Sequence, residues 1–176
     1  MASLLRRAFK LRAGQLRLLP FVAASALAGA FLLVAVGCSE QQVMETDMAL
    51  GLNQMRADYG LPPLSVDASL SQVARFRAED MATKDYFSHQ PPDGCDYRCL
   101  MVANGVSVGW SGEVIAWNNY PQDKTVDVTV QLWHDSPEHF EIITNPCFTR
   151  MGTGVATAPD GRFYHVAVFE GWAAGC

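Results

Sequence analysis

The 176-residue chain lacks the short words that announce most zinc chemistry. There is no His-Glu-x-x-His, the helical motif of zinc peptidases. No Cys-x-x-Cys word occurs, which argues against a thiolate zinc site. No internal repeat or low-complexity tract stands out, so the length points to one globular domain, with an apolar fraction near half (49%) able to build its core. Positive charge is scarce as well, with 13 Lys and Arg against 18 Asp and Glu. Five of those cations and no anion lie in residues 1–37, so without that segment the net charge falls from -5 to -10. So acidic a domain is a poor partner for nucleic acid.

One long hydrophobic run is present, and it sits at the start. Arg6, Arg7, Lys10, Arg12 and Arg17 lead into an uncharged run from Leu18 to Gly37, the pattern of a secretory signal or a membrane anchor. Ala35-Val36-Gly37-Cys38 resembles a bacterial lipoprotein cleavage box, although leucine is usual where Ala35 stands. Five cysteines in an exported chain leave one unpaired unless Cys38 carries a lipid, which favours lipidation over an uncleaved anchor. Arg6-Arg7 fits either a twin-arginine export signal or an ordinary basic leader. Whether held by a lipid or by an anchor, the domain is expected outside the inner leaflet, in a bacterial cell envelope and tied to the membrane. The expected organisation is a signal or anchor over 1–37, a linker over 38–46, polar from Ser39 to Glu45, and the folded domain over 47–176.

Within that domain, Met48, Leu52, Met55 and Tyr59 recur at helical spacing until Gly60 and Pro62-Pro63. Asp67 is placed to cap a second helix whose stripe is Leu70, Val73, Ala74, Ala78 and Met81, with Arg75, Arg77, Glu79 and Asp80 facing out or flanking it. Pro91-Pro92-Asp93-Gly94 turns into a short helix carrying Cys95, Cys99 and Leu100. The chain from Asn104 to Asp123 reads as connection, with a short strand over 113–116. Met151–Ala158 and Arg162–Phe169 flank Pro159-Asp160-Gly161 and should pair as a hairpin, Phe163, His165, Ala167 and Phe169 on one face, Tyr164, Val166 and Val168 on the other. Gly152 and Gly154 mark a bulge or a close approach of backbone. Thr125–Trp133 fits a strand by alternation and a helix by spacing, and its β-branched content favours the strand. Helices before a terminal hairpin indicate an α+β domain.

Cys95, Cys99, Cys147 and Cys176 allow three pairings. The preferred one closes a local loop with Cys95–Cys99 and pins the tail with Cys147–Cys176.

The residues with chemistry in them come from three segments. Phe87-Ser88-His89 ends a helical pattern, Ser111-Gly112-Glu113 sits in a polar connection, and Trp133-His134-Asp135-Ser136-Pro137-Glu138-His139-Phe140 puts His139 just behind a Ser-Pro turn signal. Two imidazoles and a carboxylate are the minimum for a divalent-metal site with an open position, and zinc is the candidate ion. Each also has an ordinary competitor: His89 can complement a helix dipole, Glu113 can be solvated, His139 can cap or pack. His165, on an aromatic strand face, reads as core, and His134 as surface.

Tyr86-Phe87-Ser88-His89, Gly112-Glu113-Val114 and Trp133-x-x-Ser136-Pro137-Glu138-His139 resemble, in order and spacing, three words of bacterial CAP proteins, the cysteine-rich secretory, antigen 5 and pathogenesis-related superfamily with its SCP-like domains. The resemblance runs from about Leu52 to Trp172. It implies a three-layer α-β-α sandwich with a mainly antiparallel central sheet, a helix over Thr125–Trp133, and His89, Glu113 and His139 as metal ligands in one cleft. The chain departs from the family where Val114 replaces an asparagine able to orient Glu113, where Glu138 replaces a glycine, and where eukaryotic members bring a second glutamate, a place Asp135 or Glu138 could fill but to which Ser136 lies nearest. Two functions remain in view: a divalent-metal-dependent module that binds an extracytoplasmic lipid, peptide or glycan, and a metal-dependent hydrolase acting on peptide or ester bonds. The resemblance favours the module, because catalysis is not generally established in that family.

Overall fold

The computed structural model describes the backbone of residues 25–172 and Cys176, with side chains from residue 40 onward. The expected signal or anchor, and Cys38 with its expected lipid, fall outside the described side chains. Among the described residues no helix is long and apolar enough to cross a membrane.

Helix α1 (Ser25–Asp58) ends just before Gly60, which takes a positive φ of 72°. It is followed by the short strand β1 (Ser65–Val66), then α2 (Ala68–Lys84) and α3 (Tyr97–Ala103). Strand β2 (Ser111–Asn118) leads to α4 (Thr125–Asp135) and α5 (Pro137–Ile143), and the chain closes with β3 (Arg150–Thr157) and β4 (Phe163–Glu170). Asp67 caps α2 as expected, its carboxylate accepting from the amides of Ser69 and Leu70. The sheet order is β1-β3-β4-β2, antiparallel except for the β1–β3 pair.

The two faces of β4 sort the core. Ala167 and Phe169 join Met48, Leu52 and Met55 of α1, Trp133 of α4 and Ile143 of α5 on one side of the sheet. Tyr164, Val166 and Val168 join Leu70, Val73, Ala74, Ala78 and Met81 of α2 and Met101 of α3 on the other. The result is the three-layer α-β-α sandwich with a mainly antiparallel sheet. Gly152 and Gly154 let β3 press directly on α2: a Cβ at either position would meet the backbone of Leu70 and Ser71, or of Ala74 and Arg75. They mark a close approach rather than a bulge, since β3 and β4 pair in unbroken register.

Two expectations change. The polar stretch Ser39–Glu45 is helical and continues α1 instead of linking to it. Glu45 is buried there because Arg75 of α2 reaches its carboxylate at 2.6 Å, and Met44 joins the core. The strand around Glu113 runs the full Ser111–Asn118, because β4 offers a partner at every position. Thr125–Trp133 is helical, as the resemblance implied and against its β-branched content, with Thr125, Val126, Thr129 and Trp133 buried at helical spacing and Leu132 exposed. Cys95–Cys99 and Cys147–Cys176 are the two disulfides.

Candidate functional site

Edge strand β2 carries Glu113 between the two helical layers. His89 follows α2 on one side, and His139 lies in the first turn of α5 on the other. His89 Nδ1 and Glu113 Oε2 are 2.7 Å apart. A carboxylate oxygen accepts, so the ring donates through Nδ1–H, and its Nε2 is the nitrogen left for a ligand. The ring is half exposed at 50%, whereas the Glu113 side chain is 0% exposed.

A fully buried carboxylate needs compensation. It comes from Arg77, itself only 1% exposed, whose Nε donates to Glu113 Oε1 at 2.9 Å. The same guanidinium donates to the Tyr86 hydroxyl and to the Ser88 carbonyl, both at 2.7 Å. It therefore ties β2 to the segment that presents His89. The Tyr86 hydroxyl in turn donates a hydrogen bond to Asp80 Oδ2 at 2.6 Å. Burial, and then this bond to Asp80, push the Tyr86 phenol up to about 12, so it stays a donor. Burial works against the charge of Arg77, but the bond and charge of Glu113 reverse that and hold its pKa above the usual value.

Arg77 and Asp80 were expected to face out from α2 or flank its stripe. Both are buried. The signal was in the spacing: position 77 continues the run 70, 73, 74, 78, 81, and a charge on a buried stripe requires a partner.

His139 is held differently. Its Nδ1 shares a 2.8 Å hydrogen bond with the Ser136 hydroxyl, so the serine nearest the family's second glutamate position orients this ring. Burial and the neighbouring charge of His89 lower its pKa, against a weaker opposing pull from Glu138. The ring is thus kept neutral, as a metal ligand must be. Among the described residues, no group of three His, Cys, Asp or Glu side chains is arranged to hold a metal ion. Glu113 has both oxygens engaged, by Arg77 and by His89.

The adjoining cleft, about 420 Å³, is lined by His89 and Glu113 together with Trp110, Arg98, Glu141 and Phe148. Trp133 is not part of it. It is buried, and its Nε1 donates to the Ile115 carbonyl at 3.2 Å. His134 lies at the surface against Tyr59 and Phe140. His165 is fully buried in the core.

The comparisons with known proteins agree with this architecture. YkwD, an uncharacterized protein of Bacillus subtilis, is 36% identical over 120 residues, covering 68% of this chain and 43% of its own length. An extracellular protein containing an SCP domain from Bacillus anthracis superposes with a TM-score of 0.61 at 24% identity, over 74% of this chain and 41% of that one. NaASP2, solved with Zn2+, superposes at 0.50 with 14% identity, over 74% of this chain and 78% of its own. The chain thus spans less than half the length of the two Bacillus proteins it matches. The sequence model described as the cysteine-rich secretory protein family, CAP, matches residues 51–170, most of the described domain, and the chain belongs to that family.

Proposed function

We propose that this CAP domain is an extracytoplasmic binding module in which His89 and His139 hold a divalent cation at the mouth of the cleft. The observation that carries the reading is the 2.7 Å bond from His89 Nδ1 to a carboxylate that buried Arg77 holds in place. A carboxylate or carbonyl behind the distal ring nitrogen is the usual support of a metal-binding histidine. Imidazole donors suit zinc. NaASP2, which shares the fold, has been solved with Zn2+, and that supports the choice of ion. With two protein ligands the site would be weak and open, so the cation would supply a positive anchor for an oxygen-rich ligand. The extracellular Bacillus anthracis relative, and the basic and hydrophobic leader of this chain, support a location outside the inner membrane, with Cys38 as the proposed lipid attachment.

A metal-dependent hydrolase is the second reading. Glu113 does not serve it, because a base needs a free oxygen and both of its oxygens are bonded. The observation in its favour is Glu141, an exposed carboxylate on the cleft wall. Metal analysis and zinc competition on the full chain, purified without a histidine tag, test both readings. The module predicts zinc binding that His89→Ala and His139→Ala each weaken at least tenfold, with no turnover of peptide or ester substrates. Turnover abolished by Glu141→Gln would establish the hydrolase instead, and zinc binding indifferent to both histidine variants would sink the cation site.

A further inference from the structure

Two large aromatic rings stand in solvent beside the cleft. Trp110 is 44% exposed and Trp172 66% exposed, and their centroids lie 6.4 Å apart at an interplanar angle of 66°. Their placement is built in: the Gly171 amide donates to the Trp110 carbonyl, joining the two segments, and Cys147–Cys176 anchors the tail beyond Trp172. Exposed tryptophan is costly in water and marks a contact surface more often than a bare one.

The chemistry around the pair selects among ligands. An extended peptide would be expected to add to the free edge of β2. The Ser111 carbonyl there already accepts from the Tyr97 hydroxyl, and the Ile115 carbonyl from Trp133 Nε1. A lipid chain needs an enclosed apolar channel, whereas this cleft is open and carries Gln90, Arg98, Glu141 and Asn145 on its walls. Flat rings beside amide, guanidinium and carboxylate groups match a sugar. The polarised C–H face of a pyranose meets the negative face of an indole, and its ring of hydroxyls meets planar donors and acceptors.

We infer that the cleft binds an oligosaccharide, with Trp110 as the stacking ring, Trp172 set edge-to-face against it, and Gln90, Arg98 and Asn145 reading the sugar hydroxyls. This rests on the binding-module reading and names its ligand class.

The test titrates the full chain, in mild detergent, with chitotetraose, cellotetraose and mannotetraose, following tryptophan fluorescence and heat, with and without EDTA. A tetrapeptide and palmitate serve as rivals. The expected result is saturable binding of at least one tetrasaccharide, weakened about fivefold or more by Trp110→Ala and by Trp172→Ala, and unchanged by Phe76→Ala, an exposed aromatic on α2 that is not a wall of the cleft. Failure of all three sugars to bind, binding indifferent to both tryptophan variants, or preference for the peptide or palmitate would overturn the inference. Zinc competition on the same sample separates the two ideas. Sugar binding without zinc binding removes the cation site and keeps the platform, while zinc binding without sugar does the reverse.

Discussion

Arg77→Met is the most informative single change. It keeps most of the buried stem and deletes the charge that faces a side chain with no solvent exposure. Breaking a buried ion pair by removing one partner costs about 3–5 kcal/mol, because the other charge stays buried and unpaired. Here the loss also strips a donor from the Ser88 carbonyl and from the Tyr86 hydroxyl, so the upper half of that range is expected. Without that guanidinium the Glu113 carboxylate loses the bond that fixes its orientation. A carboxylate free to turn no longer holds His89 to donation through Nδ1, so the ring tautomer loses its definition. Arg77→Lys keeps the charge but not the planar fork that reaches three acceptors, and should fall between. Urea unfolding measures the stability, and ring 15N shifts report the His89 tautomer. The double variant Arg77→Met/Glu113→Gln should recover at least about 1–2 kcal/mol relative to Arg77→Met, because the unpaired charge is gone. If Arg77→Met unfolds within about 1 kcal/mol of the native chain, or if His89 in the native chain carries its proton on Nε2, the clamp described above is wrong.

Two further predictions follow from groups outside the cleft. His165 is fully buried, and burial lowers its pKa to about 4. Asn118 Nδ2 donates to the Thr125 carbonyl, and its Oδ1 accepts from the Thr125 hydroxyl, so that hydroxyl must accept from His165 Nε2–H. His165 Nδ1 is left without a partner, and a proton there would be buried unpaired. The unfolded ring binds that proton below about pH 6.5 and the folded ring only near 4, so stability is complete above 6.5 and falls by roughly 3 kcal/mol as pH drops through that window. His165→Phe should remove that share of the pH dependence in denaturation at pH 7 and pH 4.5. An unchanged difference between the two pH values would place the acid sensitivity elsewhere. Gly154→Ala should cost about 3 kcal/mol or more in thermal unfolding, since the new methyl meets backbone of α2 that cannot rotate away, whereas a loss under about 1 kcal/mol would mean that α2 slides freely on β3.

How much of this was legible depended on whether the signal was local. The terminal hairpin was, because Pro159-Asp160-Gly161 and strict alternation set both turn and register. The cap at Asp67 was too. Helix α4 was not: its valines alternate like a strand, and only the sheet face that receives Val126, Thr129 and Trp133 makes the helix the better burial. The buried Glu45 was hidden for the same reason, since its partner Arg75 lies 30 residues away. At the site, residue types were readable and roles were not. Two histidines and a glutamate look alike as ligands in a sequence. What separates them is which oxygen faces Arg77, and that depends on how α2 crosses β2.

The strand alternation of β2 also explains the departure at Val114. Successive side chains leave opposite faces of a strand. Glu113 meets Arg77 of α2, and Ile115 joins the α2 layer, while Val114 packs with Trp133, Met48 and Ile143 on the other side. An amide at 114 would therefore point into the layer of α1, α4 and α5, away from the Glu113 carboxylate, and the orienting task falls to a residue that no local word contains. The same geometry separates the two rings by origin. His89 is steadied through Glu113 and Arg77, and His139 through Ser136 on the far side of the edge strand. Each ring is positioned by its own layer, so loosening one support should disturb that histidine alone. Ser136→Ala should leave the Nδ1 proton of His89 in place and shift only the His139 ring resonances. A matching shift at both rings would show that the two supports are one coupled network.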